Sequence, residues 1–161
     1  MEFSLNLLLY RIAKTKYIED LSGEGARLYG GRWNPKGYPA LYTTDSTALA
    51  TLETLVHHRN STVPKNRSII TLELPEKIEI STIVKKDLPE RWWIYPASSE
   101  LSQLGKKWLD ANKTVVISVP SAIIYEGEGR NYILNPRHKD YAQLKIVDIS
   151  DYNYDIRLFQ N

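Results

Sequence analysis

Apolar residues along this chain recur with two periods, and the switches between them mark its elements. Leu7 to Ile12 is an apolar run that reads as a strand, and Ser68 to Leu74 alternates polar and apolar positions as a half-buried strand does. Ile78 to Val84 predicts a further strand, Val115 to Val119 a short one that stops at Pro120-Ser121, and Ala142 to Ile149 a closing one. Helical spacing appears twice. Ala48, Leu49, Leu52, Leu55 and Val56 recur on one face, so Asp45 or Ser46 is expected to cap a helix that runs to about His58. A second helix is expected from Ser98 to Asp110, after the proline- and tryptophan-rich connection Leu88 to Pro96. Gly127 to Asp140 reads as a loop. There is no repeat, low-complexity tract or linker, so the pattern predicts a single compact α+β domain over residues 1–161.

Composition narrows the function classes. With 42% hydrophobic and 25% charged residues the chain has the make-up of a soluble globular protein. A net charge of +2 is no footprint of a nucleic-acid binder, although a pI near 8.7 leaves room for a local basic patch. Cysteine is absent, which excludes disulfides and thiolate metal sites; the three histidines lack acidic neighbours at ligand spacing, so no metal is expected. The apolar run within Met1–Tyr10 has neither a basic leader nor a small-residue cleavage site, and no run approaches the roughly 20 apolar residues that span a bilayer. A soluble protein, free of membrane and fitting a reducing cytoplasm, is the expectation.

Chemistry concentrates in Gly25 to Tyr42, where glycines and prolines interrupt regular structure, yet Arg27, Arg32, Tyr29, Tyr38, Tyr42 and Trp33 crowd together. An arginine in a glycine-rich loop suits a pyrophosphate, because its planar fork donates paired hydrogen bonds to two oxygens. It equally suits the ordering of a loop. A nearby aromatic ring can stack on a base or a nicotinamide. Glu53 lies in an otherwise apolar helical segment: either it is an exposed helix residue paired with His57, or Leu49, Leu52 and Val56 set it at the edge of the core. In the second case one carboxylate could stabilise positive charge developing on a ribose, as in glycoside hydrolysis. Cleavage of the C1′–nicotinamide bond of NAD needs no second carboxyl, since nicotinamide leaves neutral. Two other motifs fail: Gly23-Glu-Gly25 lacks the third glycine of a dinucleotide fingerprint, with Leu28 in its place, and Ser121 sits in Val-Pro-Ser-Ala, not in a nucleophile elbow.

Five segments in order, Leu9-Tyr-Arg-Ile12, Gly25-Ala-Arg-Leu-Tyr-Gly-Gly-Arg-Trp-Asn34, Ala48-Leu-Ala-Thr-Leu-Glu-Thr-Leu-Val-His57, Val119-Pro-Ser-Ala122 and Asn131-Tyr-Ile-Leu-Asn-Pro-Arg-His138, together resemble the RES-domain family. Its members are toxins of Xre–RES toxin–antitoxin modules. The resemblance implies a fold related to ADP-ribosyltransferases and an attack on NAD, by water or phosphate, or with transfer of ADP-ribose to a protein. NAD would be the substrate, with no separate cofactor. By motif, Arg32, Glu53 and Ser121 correspond to the family's arginine, glutamate and serine, and Tyr42 to a tyrosine of the same pocket. The resemblance and the chemistry together put Arg32 on the pyrophosphate, Tyr42 against nicotinamide, Glu53 beside the reacting ribose and Ser121 as a hydrogen-bonding wall. Arg11, Tyr29 and Asn135 are further binding candidates. An Xre-type antitoxin is the implied partner and a homodimer the implied state within that complex, with DNA contact left to the antitoxin.

Two other classes stand beside this one. Aromatics interleaved with basic residues in Arg91-Trp-Trp and Arg130-Asn-Tyr suit an RNA-targeting toxin, although no histidine–acid pair supports phosphodiester chemistry. The same aromatic surface would also serve a non-catalytic interaction module. Nicotinamide released from NAD separates the first class from both.

Overall fold

Alternation in register builds two cores, one on each face of a single sheet. In the computed structural model, which describes residues 5–160, Leu41 pairs with Leu134 and Leu134 with Val116 on one face, while Tyr42, Ile133 and Ile117 line up on the other. The strands are β1 (Leu7–Lys14), β2 (Leu41–Thr44), β3 (Arg67–Leu74), β4 (Ile80–Thr82), β5 (Val116–Pro120), β6 (Arg130–Leu134) and β7 (Lys145–Tyr152). They lie in the order β4-β5-β6-β2-β1-β3-β7, antiparallel throughout except for β4 and β5. A parallel pair needs a crossover, and the helix α3 (Ser99–Ala111) supplies it. The first core gathers Leu9, Ile70, Leu72, Leu74, Leu41 and Val116; the second packs Trp33, Trp92, Leu101 and Trp108 against Ile117, Val119 and Ile133. The result is the α+β domain expected.

Two further helices bear on the site. Helix α1 (Glu24–Tyr29) occupies the start of the segment that reads as a loop in sequence, bracketed by Gly23 and Gly30 at positive φ. The glycines thus end a short helix at both sides instead of forbidding it. Helix α2 (Thr47–Leu55) is capped by the Ser46 hydroxyl, which accepts from Leu49 N at 3.1 Å. It stops before His58, because His57 N and His58 N bond back to Thr54 and Leu55 carbonyls and tighten the end into a turn.

Three boundaries differ from expectation. The Gly127–Asp140 segment contains β6, which the flanking Gly129 and Asn135-Pro136 cut to five residues. The strand expected over Ile78–Val84 shortens to β4, and β7 begins three residues late because Lys139–Gln143 first makes a 3-10 turn. Residues 1–4 of the apolar amino-terminal run lie outside the described residues. Among the described residues no helix is long and apolar enough to cross a membrane.

The opening that matters lies inside the sheet. Strand β1 pairs with β3 over all eight residues but with β2 only at Tyr10↔Thr44. Past that point the β1–β2 ladder is not continued. Tyr10, Arg11 and Ile12 on one side and Tyr42, Thr43 and Thr44 on the other line a common cavity.

Candidate active site

The cavity has a volume of about 340 Å³, the scale of a small-molecule site, and its remaining walls include Ala50, Glu53, Thr54, His57, Arg67, Asn131 and Tyr154. Helix α2 packs against β1 and β2 and so carries Glu53 to it. Glu53 Oε1 accepts from Asn131 Nδ2 at 2.7 Å and from Ser121 Oγ at 3.3 Å. Among the described residues nothing donates to Oε2. The apolar neighbours invoked in the sequence do not enclose the carboxylate: Leu52 and Val56 are 38% and 56% exposed, and only Leu49 is buried. Two polar donors, from the turn after β5 and from β6, place it instead. Ser121 is wholly buried, and its hydroxyl also accepts from Ile123 N at 3.2 Å, so it closes a turn and braces Glu53 at once.

Residues from the end of the chain lock the helix itself. Tyr152 bonds Thr51 through their hydroxyls, and Tyr154 donates to Thr54 Oγ1 at 2.7 Å. The two tyrosine rings meet edge to face at 4.9 Å, and Tyr154 closes one wall of the cavity.

Tyr42 lines the cavity, but its hydroxyl is committed elsewhere. It accepts from Trp33 N at 3.0 Å and donates to Asn34 Oδ1 at 2.7 Å. Burial pushes this phenol well above the ordinary tyrosine range, against the opposing pull of the Trp33 N–H and of the Arg32 charge, so it stays protonated. The loop it braces is tight: a Cβ on Gly31 would meet Tyr42 Oη at 2.6 Å and Asn34 Oδ1 at 2.8 Å. That loop holds Arg32.

Arg32 Nη1 donates to the carbonyls of Trp92 at 3.0 Å and Ile94 at 3.1 Å, and Nη2 to Ile94 at 3.1 Å. Of its five N–H groups, the Nε–H and one on Nη2 remain uncommitted. Burial lowers its pKa while the charge of Glu53 raises it, so the two are within electrostatic reach, although no ion pair joins them and Arg32 is not in the cavity wall. Arg11 borders the cavity as part of β1, but its side chain shares the face of Leu9 and Ile70, opposite that of Tyr10, Thr44 and Asn131. Burial lowers the pKa of its guanidinium, the charges of Asp20 and Tyr141 oppose this, and Nη1 has no partner.

The remaining candidates fall elsewhere. Tyr29 is 79% exposed at the end of α1, away from the cavity wall. Asn135 is buried, donating to Asn112 Oδ1 at 2.9 Å and accepting from Arg137 N at 3.0 Å, which pins the end of α3 to the end of β6. Sequence reasoning passed over Asn131, two positions from Ile133 on the same face of β6. The aromatics of Arg91-Trp-Trp are not free to stack on bases: Trp92 is buried and Trp93 lies flat against Tyr125 at 4.5 Å. No group of three or more metal-binding side chains occurs among the described residues.

With the geometry in hand, the chain can be set beside known proteins. The model of the RES domain matches residues 8–156. The Prs ADP-ribosylating toxin of Sphingobium sp. (strain YBL2) is 35% identical over 150 residues, 92% of either chain. Toxin Res of Photorhabdus laumondii is 36% identical over 155 residues, covering 94% of this chain and 97% of its own. Toxin Res of Yersinia enterocolitica is 35% identical over 154 residues, 94% and 99%. A chain in the crystal structure of the M. tuberculosis MbcT–MbcA toxin–antitoxin complex superposes with a TM-score of 0.74 over 97% of this chain and 88% of that one. At 20% identity it shows a shared fold.

Proposed function

The chain belongs to the RES domain family, and we propose that this toxin of a toxin–antitoxin module acts by cleaving the nicotinamide–ribose bond of NAD. One observation carries the reading. A single carboxylate, Glu53, has one oxygen tied by Asn131 and Ser121 and the other without a protein donor, at the wall of a cavity that Tyr42 also lines. As the C1′–N1 bond breaks, nicotinamide takes the bonding pair and leaves neutral, and C1′ acquires oxocarbenium character that a fixed negative charge beside it stabilises. An acceptor oxygen or nitrogen then bonds to C1′. The Tyr42 ring offers a face for nicotinamide, while the two uncommitted donors of Arg32 offer charge-assisted hydrogen bonds to phosphate oxygens.

The relative named a Prs ADP-ribosylating toxin supports an ADP-ribosyl transfer to protein, while water and phosphate are acceptors in the same chemistry. A cognate antitoxin of the Xre type, bound to a toxin homodimer in the cytoplasm where NAD is abundant, completes the proposal. Incubating the purified protein with NAD, with and without phosphate, and weighing the products by mass spectrometry tests it: free nicotinamide is expected, absent in Glu53→Gln. Intact NAD after prolonged incubation would refute the activity.

A further inference from the structure

Among the described residues only two buried side-chain polar atoms lack a hydrogen-bond partner, Arg11 Nη1 and Asn131 Oδ1, and of these Asn131 shares the cavity wall and the sheet face with Glu53. The second has a cause that can be traced atom by atom. A carboxylate oxygen only accepts, so the contact at 2.7 Å with Glu53 Oε1 must be made by the amide nitrogen of Asn131. The amide is planar, and its carbonyl oxygen therefore points away from Glu53. It cannot be rotated to find a donor without breaking the bond to the carboxylate.

The backbone offers no other freedom. Asn131 sits in mid-sheet, paired with Thr44 on one side and Val119 on the other, so its Cβ direction is fixed by two ladders. A buried acceptor left unpaired is costly, and one kept beside a cavity and a carboxylate is where a bound molecule can supply the missing donor.

We propose that Asn131 is a two-ended positioning and specificity residue: its Nδ2 holds Glu53, and its Oδ1 accepts a hydrogen bond from a ribose hydroxyl of the bound substrate. This rests on the NAD reading above. Of the donors that NAD carries, the vicinal hydroxyls of the nicotinamide ribose are the ones next to the carbon that Glu53 serves. One side chain then couples recognition of a ribo sugar to the aim of the carboxylate, and the site rejects a deoxyribose in that place.

The test compares kcat/KM for NAD with that for its 2′-deoxy and 3′-deoxy forms at the nicotinamide ribose, in wild type, Asn131→Leu and Asn131→Asp. Intrinsic differences in reactivity between the sugars cancel in the ratio of ratios. Asn131→Leu removes both ends: the preference for one of the two hydroxyls should shrink by about tenfold or more, alongside a fall in kcat. Asn131→Asp keeps an acceptor oxygen but replaces the donor with a second carboxylate. Its kcat should fall at least about tenfold with hydroxyl preference retained, a split that a merely structural role does not produce. If neither hydroxyl's preference changes in Asn131→Leu, or if Asn131→Asp turns over like wild type, the proposal is overturned; should the leucine variant not fold, the aspartate variant decides. A wild-type protein that leaves NAD intact would sink the reaction alone, and calorimetry with the same three nucleotides would then still decide Asn131.

Discussion

Replacing Tyr42 by Phe separates the two jobs of that side chain, and the structure sets the size of the effect. The change deletes an oxygen that serves a buried donor, Trp33 N, and a buried acceptor, Asn34 Oδ1, in residues 2% and 1% exposed. Neither can find a substitute nearby. The Asn34 amide cannot turn, because its Nδ2 is held by the carbonyls of Ala26 at 2.9 Å and Tyr38 at 3.0 Å. The Trp33 backbone cannot move either, since Gly105 of α3 packs so closely on it that even a methyl there would overlap the Trp33 carbonyl. Two stranded groups at about 1–2 kcal/mol each give an expected loss of about 3 kcal/mol. In a chain this size that lowers Tm by ~6–12 °C. Urea unfolding followed by tryptophan fluorescence, with an unchanged slope, is the assay. The ring stays, so turnover per folded molecule should stay within about tenfold of wild type, as expected of a stacking face and not of a proton donor. A stability loss below about 0.5 kcal/mol, or turnover abolished in fully folded protein, would refute this account of the hydroxyl.

Glu53→Gln keeps the shape of the side chain and should cost at least about 100-fold in kcat with a normal melting curve; near-normal turnover would end its role. Arg11→Met removes an incompletely partnered buried cation, so Tm should rise, and a lower Tm in calorimetry would show that the charge is satisfied in the free protein. Arg32→Lys should restore only part of the affinity lost in Arg32→Ala, because an ammonium cannot span the Trp92 and Ile94 carbonyls while reaching a phosphate; full recovery in titration would exclude the fork. Burial pushes the Tyr141 hydroxyl up to about 12, above the ~10 of an unfolded tyrosine, so its contribution to stability is whole below pH ~10 and is lost as pH rises through 12. The urea midpoint should therefore fall between pH 9 and 11.5, less steeply in Tyr141→Phe, and equal slopes in the two proteins would remove Tyr141 from the effect.

Elements whose signal is local were legible in the chain. Strand β3 shows its alternation within eight residues, and α2 announces its start at Ser46. Strand β6 did not, because five residues between glycine and proline carry too short a pattern and its identity comes from pairing with β2 some 90 positions away. The site divides in the same way. Glu53 was found from its isolation in an apolar segment and its place in a motif, but its surroundings were misread, since the atoms that hold it come from β6 and the turn after β5. Asn131 and Asn135 share one motif, and nothing local tells that the first faces the cavity while the second lies past the strand end, tied to α3.

The lateness of Glu53's supports has a consequence for synthesis on the ribosome. Ser121 and Asn131 follow the glutamate by 68 and 78 positions, and Tyr152 and Tyr154 follow the threonines they fasten by about 100. At the usual pace of translation α2 therefore exists for ~5–20 s before its last fastenings are made. A nascent chain carries its carboxylate early but unaimed. The proposed NAD-cleaving competence would then arrive near the end of translation, together with the finished sheet, so that an antitoxin has until that moment to be ready for it.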